Sequence, residues 1–133
     1  TLPILSSVRF DETLPNGLVV TVTRIPFGLA MQDPLREFHD DRSIDVAKTM
    51  GSIWLHVEDP ATGAMVACAM YAADPLVVRC DTVDVMSGYR RKGVATALYR
   101  IASREFAAPV VPSPLLSDDA REFWKGKTQI SWP

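Results

Sequence analysis

Apolar and polar positions alternate in the first half of the chain with the period of two that belongs to β-strands. Leu18 to Ile25 (LVVTVTRI) is β-branched and stops at Pro26, and Ser52 to Glu58 (SIWLHVE) alternates. Ala64 to Ala72 (AMVACAMYA) returns after Asp59-Pro60-Ala61-Thr62-Gly63, a run of turn residues, so the two segments predict a hairpin. After Asp74-Pro75, Leu76 to Val85 predicts the next strand. The period then changes. From Gly93 onward Leu98, Ile101, Ala102 and Phe106 recur at helical spacing, while Thr96, Arg100, Ser103 and Arg104 face elsewhere. Val110-Val111 predicts a short fifth strand ended by Pro112-Ser113-Pro114. Ser117 suits an N-cap, with Asp118 and Asp119 favourable to the dipole of a second helix that carries Ala120, Phe123 and Trp124. Lys127 to Trp132 predicts a last strand.

Two stretches are less regular. Thr1 to Asn16 shows little periodicity and reads as an arm on the domain edge. In Phe27 to Met50, the residues Leu35, Phe38, Val46 and Met50 line helical faces between a start signal at Asp33-Pro34 and a stop at Gly51.

Composition narrows the function classes. A chain of 133 residues, 47% apolar and 23% charged, is a single globular domain, residues 1–133, with one core. A net charge of −2 argues against a general nucleic-acid coat, which is normally basic. No apolar run reaches membrane-span length and the start lacks a basic-then-apolar signal pattern, so a cytoplasmic location is expected. Cys68 and Cys80 lack metal-ligand spacing and read as free thiols in a reducing compartment; no metal site is expected.

The candidate chemistry lies where the fourth strand turns into the first helix, CDTVDVMSGYRRKGVATALY from Cys80. The first N–H groups of a helix have no intrahelical partner and carry the positive end of its dipole. Arg90, Arg91 and Lys92 add full charges there, and Gly93 permits close backbone approach. The arrangement suits a phosphate-bearing ligand; a solvated basic turn is the other reading of the same residues. A Walker loop is excluded because Val94 follows Gly93 where Lys is needed, and the Gly-x-Gly-x-x-Gly dinucleotide pattern is absent.

Val85-Met86-Ser87-Gly88-Tyr89-Arg90-Arg91-Lys92-Gly93-Val94-Ala95 resembles motif A of the GNAT superfamily of N-acetyltransferases, with Arg90, Gly93 and Ala95 at its diagnostic positions. Asp119 to Lys127 is similar to the late helix of that family, with Ala120 and Phe123 matching. The resemblance runs from about Ile53 to Gly126. It implies an α/β GNAT fold: a mixed, mostly antiparallel central sheet flanked by helices, with strands four and five splayed around acetyl-CoA. It further implies a cofactor site of Val83, Val85, Met86, Arg90, Arg91, Lys92, Gly93, Val94, Ala95, Thr96 and Phe123. In it the backbone amides from Arg91 to Ala95 hold the diphosphate, and an amide at Val85 or Met86 serves the thioester oxygen.

The implied reaction is transfer of an acetyl group to a primary amine by direct attack. The acceptor stays open among a small amine, a protein amine and modified nucleic acid, and a homodimer is allowed. Candidate catalytic residues are Asp81, Asp84 and Ser113. Alternation puts the two aspartates on opposite faces, and simple pairing with nearby cations explains either equally. Trp124 stands where the family often has a tyrosine acid, and an indole N–H cannot take that role. The alternative function is a GNAT-fold module that binds CoA or a protein partner without turnover.

Overall fold

The structure is a computed structural model that describes residues 8–26, 51–73, 77–113 and 116–133, the side chain of Asp81 excepted. In chain order the elements are β1 (Val8–Thr13), β2 (Val19–Ile25), β3 (Ser52–Asp59), β4 (Ala64–Ala73), β5 (Val78–Val85), α1 (Val94–Phe106), β6 (Val110–Val111) and α2 (Asp118–Trp124). The strands form one open α/β sheet in the order β1-β2-β3-β4-β5-β6. Neighbours are antiparallel as far as β5, and only the β5–β6 pair is parallel.

The alternation that predicts the strands also fixes their register, because a slip of one residue turns the apolar face to water. Val20 and Val22 of β2, Ile53, Leu55 and Val57 of β3, and Ala67, Ala69 and Tyr71 of β4 belong to the main core. Helix α1 presses Val94, Leu98, Ile101, Ala102 and Phe106 into that cluster. Small alanines in β4 let the helix lie close. The other face of the sheet carries a second buried group, Ile25, Trp54 and Met70.

Several expectations are corrected. The N-terminal segment, expected as an arm packed on the domain edge, is from Val8 a regular edge strand, β1, paired with β2 from Val8↔Arg24 to Thr13↔Val19. Only Phe10 of β1 packs against the core, and charged Arg9, Asp11 and Glu12 surround it, so the period is too short to stand out. Lys127 to Trp132 is not a strand; it touches the sheet through one bridge, Ile130↔Val110. Ser103 does not face solvent. It is 3% exposed, and its Oγ accepts a hydrogen bond from the Trp132 amide at 3.0 Å. The strand predicted over Leu76 to Val85 begins at Val78; Leu76 and the turn at Asp74-Pro75 lie outside the described residues, as do the helices expected over Phe27 to Met50. Among the described residues no helix is long and apolar enough to cross a membrane.

The edge strand is tied to the helix by one ion pair. Arg104, in the last turn of α1, donates from Nη1 to Glu12 Oε1 at 2.8 Å and from Nη2 to Oε2 at 2.7 Å. The Arg104 guanidinium also lies 5.1 Å from the centre of the Trp132 ring, clamping the C-terminal segment from beneath. These hydrogen bonds hold the Glu12 carboxyl below its ordinary value, against the opposing effect of partial burial. A carboxyl depressed in the folded state stabilises above its unfolded pKa, and that contribution fades as pH falls through the folded value. Glu12→Gln is therefore expected to lose on the order of 1 kcal/mol at pH 7. Urea unfolding should show the gap to wild type closing below about pH 4. A gap that stays constant with pH would remove the ionic tie.

Candidate functional site

The site is built where β5 loses its neighbour. β6 pairs with β5 only at Val78↔Val110 and Arg79↔Val111. At the next position Ser113 Oγ donates to the Cys80 carbonyl at 2.7 Å. Beyond it, among the described residues, β5 has no strand on that side up to Val85. The candidate Ser113 thus stands at the fork, its hydroxyl proton engaged by main chain.

Which main-chain groups face this opening follows from the ladder. The Met86 amide donates inward, to the Val66 carbonyl of β4, at 2.9 Å. Antiparallel neighbours alternate between bonding pairs and pairs that send N–H and C=O away. With Val85 opposite Ala67 and Val83 opposite Ala69, Val83 and Val85 turn theirs to the open side. Of the two amides expected to serve a thioester oxygen, Met86 is therefore corrected: its N–H is already used. Val85 remains. The Val85 carbonyl on the same side accepts from Arg90 Nε at 2.8 Å, which draws a guanidinium to the end of the open edge.

A bulge alters the aspartates. Met70 pairs with Thr82 and Tyr71 with Cys80, so Asp81 is the extra residue between them. Alternation counted along the strand does not carry through it, and the opposite-face argument for Asp81 and Asp84 lapses. Position 81 is placed only by its backbone. Asp84 is exposed and pairs with Cys68, on the sheet face away from α1. Cys68 in turn pairs with His56 of β3. The three residues occupy one row across the sheet, with His56 and Cys68 buried, a juxtaposition that a register supplies and a spacing does not.

Past Met86 the chain makes a single 3₁₀ turn, Ser87–Tyr89, and then two left-handed residues one apart, Arg91 at φ 58 and Gly93 at φ 79. Gly93 caps α1 without a side-chain hydrogen bond, and the first turn holds no acidic residue. The first intrahelical bond runs from the Ala97 amide to the Gly93 carbonyl at 3.0 Å. Among the described residues, the amides of Gly93, Val94, Ala95 and Thr96 find no acceptor. Arg90, Arg91 and Lys92 are exposed beside them, Val94 is buried, and Ala95 and Thr96 are half-buried. Free amides and an uncompensated dipole thus follow directly on three exposed cationic residues in the chain, an arrangement that suits an anion in chemical terms.

Of the other site residues expected, Val83 and Val85 are half-buried against the α1 core and Met86 is 53% exposed. Phe123 belongs to an aromatic group instead of an open platform. It stacks on Tyr99 at 5.0 Å, and Trp124 meets Tyr99 edge-on at 5.2 Å. Tyr71 completes the group, 5.4 Å from Tyr99. Burial, with Cys80 beside it, raises the Tyr99 phenol well above its ordinary value, so it stays protonated as a donor.

Sequence reasoning missed Asp59. Tyr89 Oη donates to Asp59 Oδ2 at 2.6 Å, across a separation of 30 residues. That hydrogen bond, followed by one from the Ala61 amide, holds the Asp59 carboxyl below its ordinary value. No local signal announces such a contact; the β4–β5 register, with Ala67 opposite Val85, brings the turn beside the loop.

The left-handed cap can be tested alone. A Cβ at Gly93 meets nothing within 4 Å, so its cost is conformational. Gly93→Ala is expected to lose about 1–2 kcal/mol, whereas Gly88→Ala, also in open space but without positive φ, stays within about 0.5 kcal/mol of wild type. Equal losses in chemical denaturation would contradict this cap. Comparison with protein-family models, curated proteins and solved structures gives no match for the chain.

Proposed function

We propose that the protein is a GNAT-type N-acetyltransferase that moves an acetyl group from acetyl-CoA to a primary amine. One observation carries the reading: the strand whose edge is left open leads, through one short basic loop, to a helix N-terminus with free amides. A ligand with a diphosphate at one end and an extended amide-bearing arm at the other suits both parts at once. The amides of Gly93 to Thr96, with Arg91 and Lys92, hold the diphosphate. The outward N–H and C=O of Val83 offer an extended arm the hydrogen bonds of a missing strand.

When bound, acetyl-CoA supplies a thioester whose carbon–sulfur bond breaks as the carbon–nitrogen bond forms. The Val85 amide donates where negative charge develops on the carbonyl oxygen, a fixed donor that needs no reorganisation. The attacking amine gives up one proton. Asp84, exposed next to Val85 in the chain, is the described carboxylate placed to receive it, directly or through water. Trp124 is buried within the aromatic group and supplies no acid, so the departing thiolate takes its proton from solvent.

Acetyl-CoA is expected to raise the melting temperature and to release free thiol in the presence of at least one member of a panel of small amines and amine-bearing peptides. Gly93→Glu should abolish that stabilisation, because a carboxylate then projects into the anion site at the cost only of the local backbone strain. Stabilisation without thiol release for any acceptor marks a binding module. No stabilisation of the wild type, or an undiminished shift in Gly93→Glu, overturns the assignment.

A further inference from the structure

The basic loop is held from outside by a turn that no site expectation includes. Beyond Met86, among the described residues, the Tyr89 hydroxyl of the loop reaches the β3–β4 turn, donating to Asp59 Oδ2 at 2.6 Å and accepting from Thr62. Within the loop the Tyr89 amide donates to the Met86 carbonyl at 2.8 Å, and Arg90 Nε reaches back to the Val85 carbonyl at the end of β5 at 2.8 Å. Those two fix the loop's shape and its start on β5, and the Tyr89 ring, packed against the main core, carries the hydroxyl that joins the loop to the turn.

Asp59 is itself fixed. It ends β3, and its Oδ1 accepts from the Ala61 amide at 3.0 Å. Its carbonyl accepts from the Gly63 amide at 2.8 Å, which closes the turn into β4. One carboxylate thus joins two chain segments, one oxygen for the turn and one for the loop. The Tyr89 ring carries a further contact, with Lys92 Nζ 5.9 Å from its centre. The phenol therefore stands between the turn and one of the loop's cations.

Resting on the acetyl-CoA reading above, we infer that Asp59 and Tyr89 are positioning residues for the diphosphate: the β3–β4 turn latches the loop at the height where its amides meet the ligand. Neither residue needs to touch the ligand. Loss of the latch leaves the charges and the free amides in place but lets the loop drift, and a displacement of about 1 Å is enough to spoil converging hydrogen bonds.

The test measures acetyl-CoA affinity by titration calorimetry for wild type, Tyr89→Phe, Asp59→Ala and the double variant. Tyr89→Phe keeps the ring and its contact with Lys92 and removes only the hydroxyl. Each single variant is expected to bind about tenfold more weakly, with the double variant no weaker than the worse single, because the two groups act as one unit. In Tyr89→Phe the amide NMR signals of Arg91 to Thr96 should shift while those of Leu98 to Phe106 stay. That separates a displaced loop from a damaged fold. Wild-type binding with single variants within twofold of it, or additive losses in the double, overturns the latch and leaves the acetyl-CoA reading standing. Absence of binding by wild type overturns the reading beneath it and the latch together.

Discussion

Everything at the site depends on how soon β5 and β6 part. Two residue pairs join them before the side chain of Ser113 takes over the next carbonyl. A longer parallel pairing would saturate the outward groups of Val83 and Val85 with another strand and leave no edge for a ligand. A shorter one would free β6 from the sheet. Ile130 supports the compromise from the far side, exchanging hydrogen bonds of 2.9 Å with Val110 in both directions. β6 is thus held on both flanks, though two residues alone are too few to be stable as an edge.

The helix that follows has two tasks that constrain each other. Its apolar face must seat in the β3–β5 core, which fixes its axis, and its first turn must present amides past the end of β5. Val94 is 2% exposed while the residues just before it are exposed, so the change from core to surface happens within one residue. At its other end Arg104 reaches β1 and the C-terminal segment. The helix is therefore anchored at the end remote from the site and along its apolar face, and its N-terminus is held by Val94 in the core and by the loop that leads into it.

Much of this was legible in the chain. β2 to β5 follow from alternation in residues that bury one or both faces, and α1 follows from the spacing of Leu98, Ile101, Ala102 and Phe106. Gly93 as the helix start and Ser117 as an N-cap were readable because each rests on a local backbone requirement; Ser117 Oγ accepts from the Ala120 amide at 3.2 Å. β1 escaped because an edge strand with one half-buried aromatic has too little period. The Asp81 bulge escaped because an extra residue is defined only against a partner strand. The same limit explains why Val85 and Met86 could not be told apart: the direction of an amide depends on pairing with β4. Contacts such as Tyr89 with Asp59, or the row from His56 through Cys68 to Asp84, join segments whose neighbourhood is a property of register.

Arg91 adopts a left-handed backbone that costs a residue with a β-carbon about 1–2 kcal/mol relative to glycine. A chain shaped for durability alone would carry glycine there. The tension is already present before any ligand arrives, so the conformational freedom of this segment is surrendered during folding. On the acetyl-CoA reading proposed above, association has little disorder left to remove, and the affinity lost to ordering in a slack segment is retained. The expense is shifted from each encounter to the single event of folding.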